Sequence, residues 1–222
     1  MQYKNEISTI SRGNKLSLWT DLEGNPFSKS EINDSWKISY TEKVSRNEDE
    51  NGLRMPQFGA LSAIRAHWTI SNSPATIVLP TGTGKTETMY ATIISELISK
   101  TLIIVPTDLL REQIFKGAKQ FGILPKAGLI SDKVIFPTTL LYKSKVNKDH
   151  ENSIIEAFER ANIIVSTPKM IRNLPTKILN KLINDVEVVI FDEAHHLAAP
   201  QWSAVKDMFI EKKNITIYRN TF

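Results

Sequence analysis

The segment PTGTGKT at residues 80–86 joins a short apolar run to a stretch with helical periodicity. A glycine-rich turn at the N-terminus of a helix presents backbone N–H groups to an anion, and glycines such as Gly82 and Gly84 have no Cβ to block its approach. In this interpretation, the Lys85 ammonium reaches the β- and γ-phosphates of a nucleotide and the Thr86 hydroxyl ligates Mg²⁺. The simpler alternative is a plain turn between a strand and a helix.

Two acidic residues, Asp192 and Glu193, follow the apolar run at residues 186–191. Parallel sheets bind their ligands at the carboxyl ends of the strands. Asp192 is therefore predicted to face the phosphate loop and to hold Mg²⁺ directly or through water, and Glu193 to orient and deprotonate an attacking water. An acidic pair after a strand also suits a helix N-cap, so this hypothesis depends on the phosphate loop.

Alternating strands and helices are predicted around these residues. Short runs rich in β-branched residues predict buried strands at residues 76–79, 102–105, 163–165, 186–191 and 215–218. Helical periods are found at residues 86–99, 109–121, 154–160, 168–174 and 202–209. This alternation is typical of an α/β fold with a doubly wound, mostly parallel sheet.

Two regions are less regular. Residues 1–52 are polar and rich in turn formers, and we interpret them as a small N-terminal appendage that precedes the main domain at residues 53–222. The appendage is predicted to contain strands at residues 16–19 and 36–40 and to end in a solvated linker at residues 45–52. Residues 122–150 are predicted to be a surface insertion with one strand at residues 126–130.

Composition narrows the class of protein. The 222 residues include no cysteine, which excludes disulfide frameworks and thiolate chemistry. No apolar run approaches the roughly 20 residues of a membrane span, so we expect a soluble, cytoplasmic chain without a membrane partner. The net charge of +4 permits a polyanionic partner but does not require one.

PTGTGKT followed by Asp192-Glu193-Ala194-His195 resembles the first RecA-like domain of superfamily-two helicases and translocases of the DEAD/DEAH-box type. Further segments match the family's motifs in the same order along the chain. They are Leu53-Arg54-Met55-Pro56-Gln57, Val105-Pro106-Thr107 with Leu110 and Gln113, and Ser166-Thr167-Pro168. The resemblance extends from about residue 53 to residue 218 and implies a RecA-like P-loop NTPase fold.

The resemblance also implies roles for individual residues. The residues that it implies bind nucleotide are Arg54, Gln57, Thr81, Gly82, Thr83, Gly84, Lys85 and Thr86. Gln57 reads the edge of adenine with help from Arg54, Lys85 and Glu193 serve catalysis, and Asp192 and Thr86 hold the metal. Thr107 and Thr167 contact phosphates of a nucleic acid, although both are equally well placed to be ordinary N-caps at strand ends.

The implied function is an ATP-binding domain that uses ATP and Mg²⁺ to drive movement on DNA or RNA, without sequence specificity. We expect the second RecA-like domain, which supplies arginines to the transition state, to be absent or carried by a separate chain. The isolated chain is then inactive or a very slow ATP hydrolase. The alternative is a truncated remnant or regulatory module that binds nucleotide or nucleic acid without useful catalysis.

Overall fold

The computed structural model describes residues 5–12, 15–22, 27–47, 51–71, 73–80, 82–143, 146, 151–192, 200–210 and 213–220. The strands are β1 (Asn5–Arg12), β2 (Lys15–Leu22), β3 (Ala75–Pro80), β4 (Thr101–Ile104), β5 (Thr139–Leu141), β6 (Ile163–Ser166), β7 (Val188–Asp192) and β8 (Lys213–Asn220). The helices are α1 (Lys29–Ser39), α2 (Met55–Ile70), α3 (Lys85–Ser95), α4 (Asp108–Ala118), α5 (Glu151–Arg160), α6 (Pro168–Arg172), α7 (Thr176–Asp185) and α8 (Pro200–Met208). Within these ranges, no helix is long and apolar enough to cross a membrane.

The eight strands form one sheet in the order β2-β1-β5-β6-β4-β7-β8-β3. All neighbouring strands run parallel except β1 and β2, which form an antiparallel pair at one edge. The predicted α/β fold with a mostly parallel sheet is confirmed. Because β3, β4, β6 and β7 are parallel, the residues that follow them emerge at the same edge of the sheet.

Helices cover both faces of the sheet. Helices α1 to α4 pack on one face, in a core that includes Trp36, and α5 to α8 pack on the other, in a core that includes Trp202. Neighbouring residues of β4 divide between the two cores, Ile103 in the first and Leu102 in the second. Every residue of β4, β6 and β7 is buried, as expected for strands with helices on both faces. The sheet is therefore doubly wound.

The prediction of a strand at residues 36–40 is wrong, because most of that segment lies in α1. The buried side chains of α1 are Ile32, Ser35, Trp36 and Ser39. Their spacing is that of one helix face, but two of the four are serines, so the apolar period of the helix is faint in the sequence. Ile38 helped to suggest a strand, yet its side chain is 72% exposed.

The strand predicted at residues 126–130 is also wrong. These residues form turns, and Ile130 makes only an isolated bridge to Tyr40. Phe121, Gly122 and Gly128 have φ angles of +56°, +58° and +68°, which turn the chain and prevent extended pairing. The strand of this region is β5, which pairs with β1 on one side and β6 on the other.

The N-terminal segment joins the sheet and core of the rest of the chain. The predicted strand at residues 16–19 lies within β2, which is confirmed, and β1 pairs with β5. The indole Nε1 of Trp36 donates a hydrogen bond to the Ile135 carbonyl at 2.9 Å. The division of the chain at residue 52 stays a prediction. The strands before and after that residue belong to one sheet.

Candidate functional site

The loop between β3 and α3 has the backbone of an anion-binding turn. Gly82 and Gly84 have φ angles of +80° and +84°, in the left-handed region that glycine adopts with least strain. Gly84 is the N-cap of α3, and its carbonyl accepts the backbone N–H of Thr88 at 3.0 Å. Because this N-cap is a glycine, it has no side chain that could accept the first backbone N–H groups of α3.

Arg54 and Gln57, at the start of α2, donate side-chain hydrogen bonds to carbonyls of this loop. The Gln57 amide nitrogen donates to the Gly84 carbonyl at 3.2 Å, and its amide oxygen accepts the backbone N–H of Arg54 at 2.8 Å. The Arg54 guanidinium donates to the Gly82 carbonyl at 3.1 Å. The structure thus brings together four of the predicted nucleotide-binding residues.

The close approach of Gln57 explains why residue 84 is a glycine. A Cβ on Gly84 would lie 2.1 Å from the Gln57 amide nitrogen, whereas a Cβ on Gly82 would meet nothing within 4 Å. The two glycines therefore serve different needs. Gly82 provides a left-handed turn next to open space, and Gly84 provides the turn and room for Gln57.

A cavity of about 320 Å³, here called the loop cavity, opens beside these residues. Its polar wall consists of the glycine loop with Arg54, Gln57 and Glu87. Its apolar wall consists of Leu53, Ile123, Leu124, Ala127 and Leu129. A cavity with one apolar wall and a few convergent polar groups has the character of a small-molecule site.

Thr83, Lys85 and Thr86 belong to the same loop and helix start but do not line the loop cavity. The Thr83 hydroxyl donates to the Pro80 carbonyl at 2.7 Å and tightens the turn. Lys85 and Thr86 are the first two residues of α3, and both side chains are partly buried. Thr81 lies outside the described residues, as does Glu193.

Asp192 is the last residue of β7 and is only 6% exposed. It lies close to Tyr90 in the second turn of α3. Burial raises the pKa of the Tyr90 hydroxyl well above its ordinary value, and the nearby carboxylates of Glu87 and Asp192 raise that pKa further. Asp192 is therefore held at the carboxyl end of the sheet, within electrostatic reach of the helix that begins at the phosphate loop.

Thr107 and Thr167 follow the neighbouring strands β4 and β6 and are the N-caps of α4 and α6. The exposed Thr107 hydroxyl accepts the backbone N–H of Leu110 at 3.2 Å. Thr167 makes no side-chain capping bond and is 7% exposed. β4 lies three strand positions from β3, or about 14 Å at the usual strand spacing, so these threonines lie apart from the phosphate loop.

Sequence reasoning missed Glu87 and the apolar wall of the loop cavity. Glu87 is the third residue of α3 and occupies a position where acidic residues are common simply because they favour helix N-termini. Apart from Leu53, the apolar wall belongs to residues 123–129, which we expected to be part of a surface insertion. Neither feature has a distinctive spacing in the sequence.

A second cavity, of about 580 Å³, lies at the opposite, amino end of the sheet and is here called the amino-end cavity. Its lining includes Lys100, Asn162 and Glu187, which precede β4, β6 and β7. Lys29 and Lys181, also in its lining, pair with acidic residues, Lys29 with Glu187 at 3.0 Å.

Lys100 is the most enclosed cation of the amino-end cavity. Its ammonium donates hydrogen bonds to the carbonyls of Phe158, Glu159 and Ala161, at the C-terminal end of α5. Burial lowers the pKa of Lys100 to about 8. These bonds use all three donors of the ammonium, so Lys100 serves the structure of this end of the sheet.

Comparisons with known proteins agree with this architecture. The Hef helicase domain of Pyrococcus furiosus superposes with a TM-score of 0.51 at 24% identity, covering 75% of this chain and 32% of that chain. A hypothetical ATP-dependent RNA helicase from Sulfolobus tokodaii superposes with a TM-score of 0.51 at 19% identity, covering 78% of this chain and 47% of that chain. The chain thus spans less than half of each relative, and at these identities the likeness shows the fold.

No curated protein matches the chain significantly in sequence. A family match exists, to the family described as "Type III restriction enzyme, res subunit", over residues 50–218. That match spans most of the chain and runs from the Arg54–Gln57 segment through the phosphate loop to Asp192. The resemblance to superfamily-two helicases is confirmed at the level of family and fold, and the chain belongs to the Type III restriction enzyme, res subunit, family.

Proposed function

We propose that this chain is the ATP-binding domain of a DEAD/DEAH-type helicase or translocase. It binds Mg-ATP at the phosphate loop and couples ATP hydrolysis to movement on DNA or RNA when a second RecA-like domain completes it. The observation that carries the proposal is the start of α3. There, two left-handed glycines line the loop cavity, and Lys85 follows them as the first residue of the helix.

The phosphate loop fits a triphosphate for two physical reasons. Backbone N–H groups at a helix N-terminus donate to phosphate oxygens, and the helix dipole favours negative charge there. Lys85, the first residue of α3, adds a positive charge next to these donors. Arg54 and Gln57 fix the loop through its carbonyls and leave its N–H groups to the ligand.

In the proposed reaction, water attacks the γ-phosphate in line with the leaving oxygen. Thr86 and Asp192 are the residues that would hold Mg²⁺, whose charge stabilises the phosphate oxygens. Glu193 orients the attacking water and accepts its proton. The arginines that stabilise the transition state come from the second domain, so hydrolysis by the isolated chain is very slow.

The proposed nucleic-acid surface lies at the same edge of the sheet. Thr107 and Thr167 occupy the N-cap positions of helices whose N-termini suit phosphate groups, and such contacts carry no base information. Binding to DNA or RNA is therefore weak, independent of sequence and sensitive to salt. Separation of strands requires two domains that close and reopen with ATP turnover, which one domain cannot do alone.

The test is the binding of a fluorescent ATP analogue to the purified chain in the presence of Mg²⁺. Lys85→Ala removes a charge-assisted contact to phosphate, so we expect the dissociation constant to rise by about tenfold to hundredfold. Lys37→Ala, which removes an exposed lysine on α1 far along the chain from the loop, is the matched control and leaves affinity unchanged. Equal binding by the Lys85→Ala variant and the parent would overturn the proposal.

Turnover separates the catalytic roles from binding. With the second domain added as a separate chain, Glu193→Gln retains nucleotide affinity while phosphate release falls by about 10² or more, because an amide accepts no proton. Single-stranded DNA or RNA raises the parent's rate. Full turnover by Glu193→Gln would remove the general-base assignment, and a rate indifferent to both nucleic acids would remove the helicase part of the proposal.

A further inference from the structure

The loop cavity contains one carboxylate that the proposed phosphate chemistry does not use. We infer that Glu87 accepts a hydrogen bond from the exocyclic amine of adenine and thereby makes the site prefer adenine over guanine nucleotides. The inference rests on the proposed function, since it assigns a role within the same nucleotide site. It makes Glu87 a specificity-determining residue.

Glu87 and Gln57 present their polar ends side by side. The Gln57 amide nitrogen lies 2.1 Å, and a Glu87 carboxylate oxygen 3.1 Å, from the point that a Cβ on Gly84 would occupy. Both side chains line the loop cavity. A ligand in that cavity therefore meets an amide N–H and a carboxylate oxygen at adjacent positions.

Gln57 already makes two hydrogen bonds within the protein through its amide. Its amide oxygen already accepts the backbone N–H of Arg54 at 2.8 Å. One hydrogen of its amide nitrogen goes to the Gly84 carbonyl, and the second remains for a ligand. Gln57 therefore offers this hydrogen to the base, while its amide oxygen holds the start of α2.

Glu87 supplies the acceptor. It makes no hydrogen bond or ion pair with any residue that the structure describes, although it is partly buried. A carboxylate accepts hydrogen bonds and donates none. The cavity thus combines one donor from Gln57 with one obligate acceptor from Glu87, next to the apolar side chains of Ile123 and Leu124 on which a base ring can pack.

This donor–acceptor pair matches one edge of adenine and conflicts with the same edge of guanine. Adenine presents the acceptor N7 beside the donor N6 amine, whereas guanine presents two acceptors, N7 and O6. In the proposed pose, Gln57 donates to N7 and Glu87 accepts from N6. With guanine, O6 would face the carboxylate without a hydrogen between them, which disfavours binding.

A purely structural role for Glu87 would affect the ATP and GTP affinities differently from a contact to the base. As the third residue of α3, its charge stabilises the helix N-terminus, and it also repels a triphosphate bound there. Both effects act on ATP and GTP alike, because the two share the triphosphate. Only a contact to the base changes the ratio of the two affinities.

The experiment measures the dissociation constants of Mg-ATP and Mg-GTP by competition with the fluorescent analogue, for the parent, Glu87→Gln and the surface control Glu156→Gln. We expect the parent and the control to prefer ATP by at least about tenfold. In Glu87→Gln the preference falls to about threefold or less, because a glutamine amide donates to O6 as readily as it accepts from N6. Thermal unfolding confirms that the variant is folded.

A second probe needs no variant. N6,N6-dimethyl-ATP keeps N7 and the triphosphate but has no N–H at position 6, so the parent binds it at least about tenfold more weakly than ATP. The inference is overturned if the parent binds ATP and GTP equally, or if Glu87→Gln retains the parent's preference. Failure of the parent to bind either nucleotide would instead overturn the proposed function, and the inference with it.

Discussion

The two ends of the sheet each contain a cavity, and they differ in how their polar groups are used. At the amino end, the larger cavity of about 580 Å³ is lined by charges that pair with one another, as Lys29 does with Glu187. At the carboxyl end, the cavity of about 320 Å³ is lined by Gly82 and Gly84 of the phosphate loop and by Glu87. Of these two cavities, the larger one lies at the amino end, whereas the proposed nucleotide site lies at the carboxyl end. Hydrogen-bonding capacity left unused by the fold is the better guide to a ligand site.

The polar groups at the two ends of the sheet are therefore expected to have different roles. Lys29, Lys100 and Lys181 at the amino end stabilise the folded chain, because their ammonium groups bond to or pair with groups within it. Groups at the carboxyl end are proposed to serve ligands, and two left-handed glycines there carry a conformational cost. Substitutions at the two ends should therefore separate unfolding free energy from nucleotide affinity.

The largest effect is expected from Gly84→Ala. A Cβ there would lie 2.1 Å from the Gln57 amide nitrogen and would also require a left-handed backbone at an alanine. Strain and displacement of Gln57 together should lower the free energy of unfolding by about 3 kcal/mol and weaken ATP binding. Chemical denaturation and analogue titration measure the two quantities.

Gly82→Ala is the matched control, since it carries the same strain with φ of +80° but its Cβ meets nothing within 4 Å. Gly82→Ala should lower the free energy of unfolding by about 1 kcal/mol. Equal costs for the two alanines would show that Gln57 does not press on the loop as the distances indicate.

A smaller effect is expected at the amino end from Lys100→Met. The substitution leaves three carbonyls at the end of α5 without their donor, which should lower the free energy of unfolding by about 2 kcal/mol. The affinity for ATP should not change. A clear loss of ATP affinity in the folded variant would contradict the expectation that the amino end affects stability alone.

The smallest effect is a dependence of stability on pH. Burial lowers the pKa of Lys100 to about 8, from 10.5 for an ordinary lysine. Between these values the unfolded chain binds the proton and the folded chain does not, so the free energy of unfolding rises with pH. Denaturation curves from pH 8 to pH 10 should show a steeper rise for the parent than for Lys100→Met. Identical slopes would mean that Lys100 titrates normally.

The central fold was predictable because its signals are local. The strands β4, β6 and β7 are buried on both faces, so their sequences are continuous β-branched runs. α1 was not recognised because serines occupy half of its buried face, even though Ser28 and Glu31 form a capping box that marks its start. β5 has three residues, and its partners β1 and β6 are distant in sequence, so no local pattern identifies it.

The candidate site was predictable where one segment supplies both the turn and the helix start, as at Gly82, Gly84 and Lys85. It was not predictable where a side chain's function depends on which of its atoms the fold already uses. The type of residue at position 57 suggested a base reader, which stays a prediction, but only the fold shows that its amide also bonds to Arg54 and Gly84. The roles of Glu193 and Thr81 stay predictions from the sequence.

The pairing of β1 with β5 has a consequence for how the chain folds. Glu6 lies opposite Thr139, and Trp36 bonds to a residue 99 positions further along. Such contacts close long loops and slow the folding reaction. β1 and α1 are synthesised long before the residues that they contact. They therefore cannot form these contacts until most of the domain has been made. Until then their unpaired strand edges and apolar side chains are exposed, which makes this interval the period of greatest risk of aggregation.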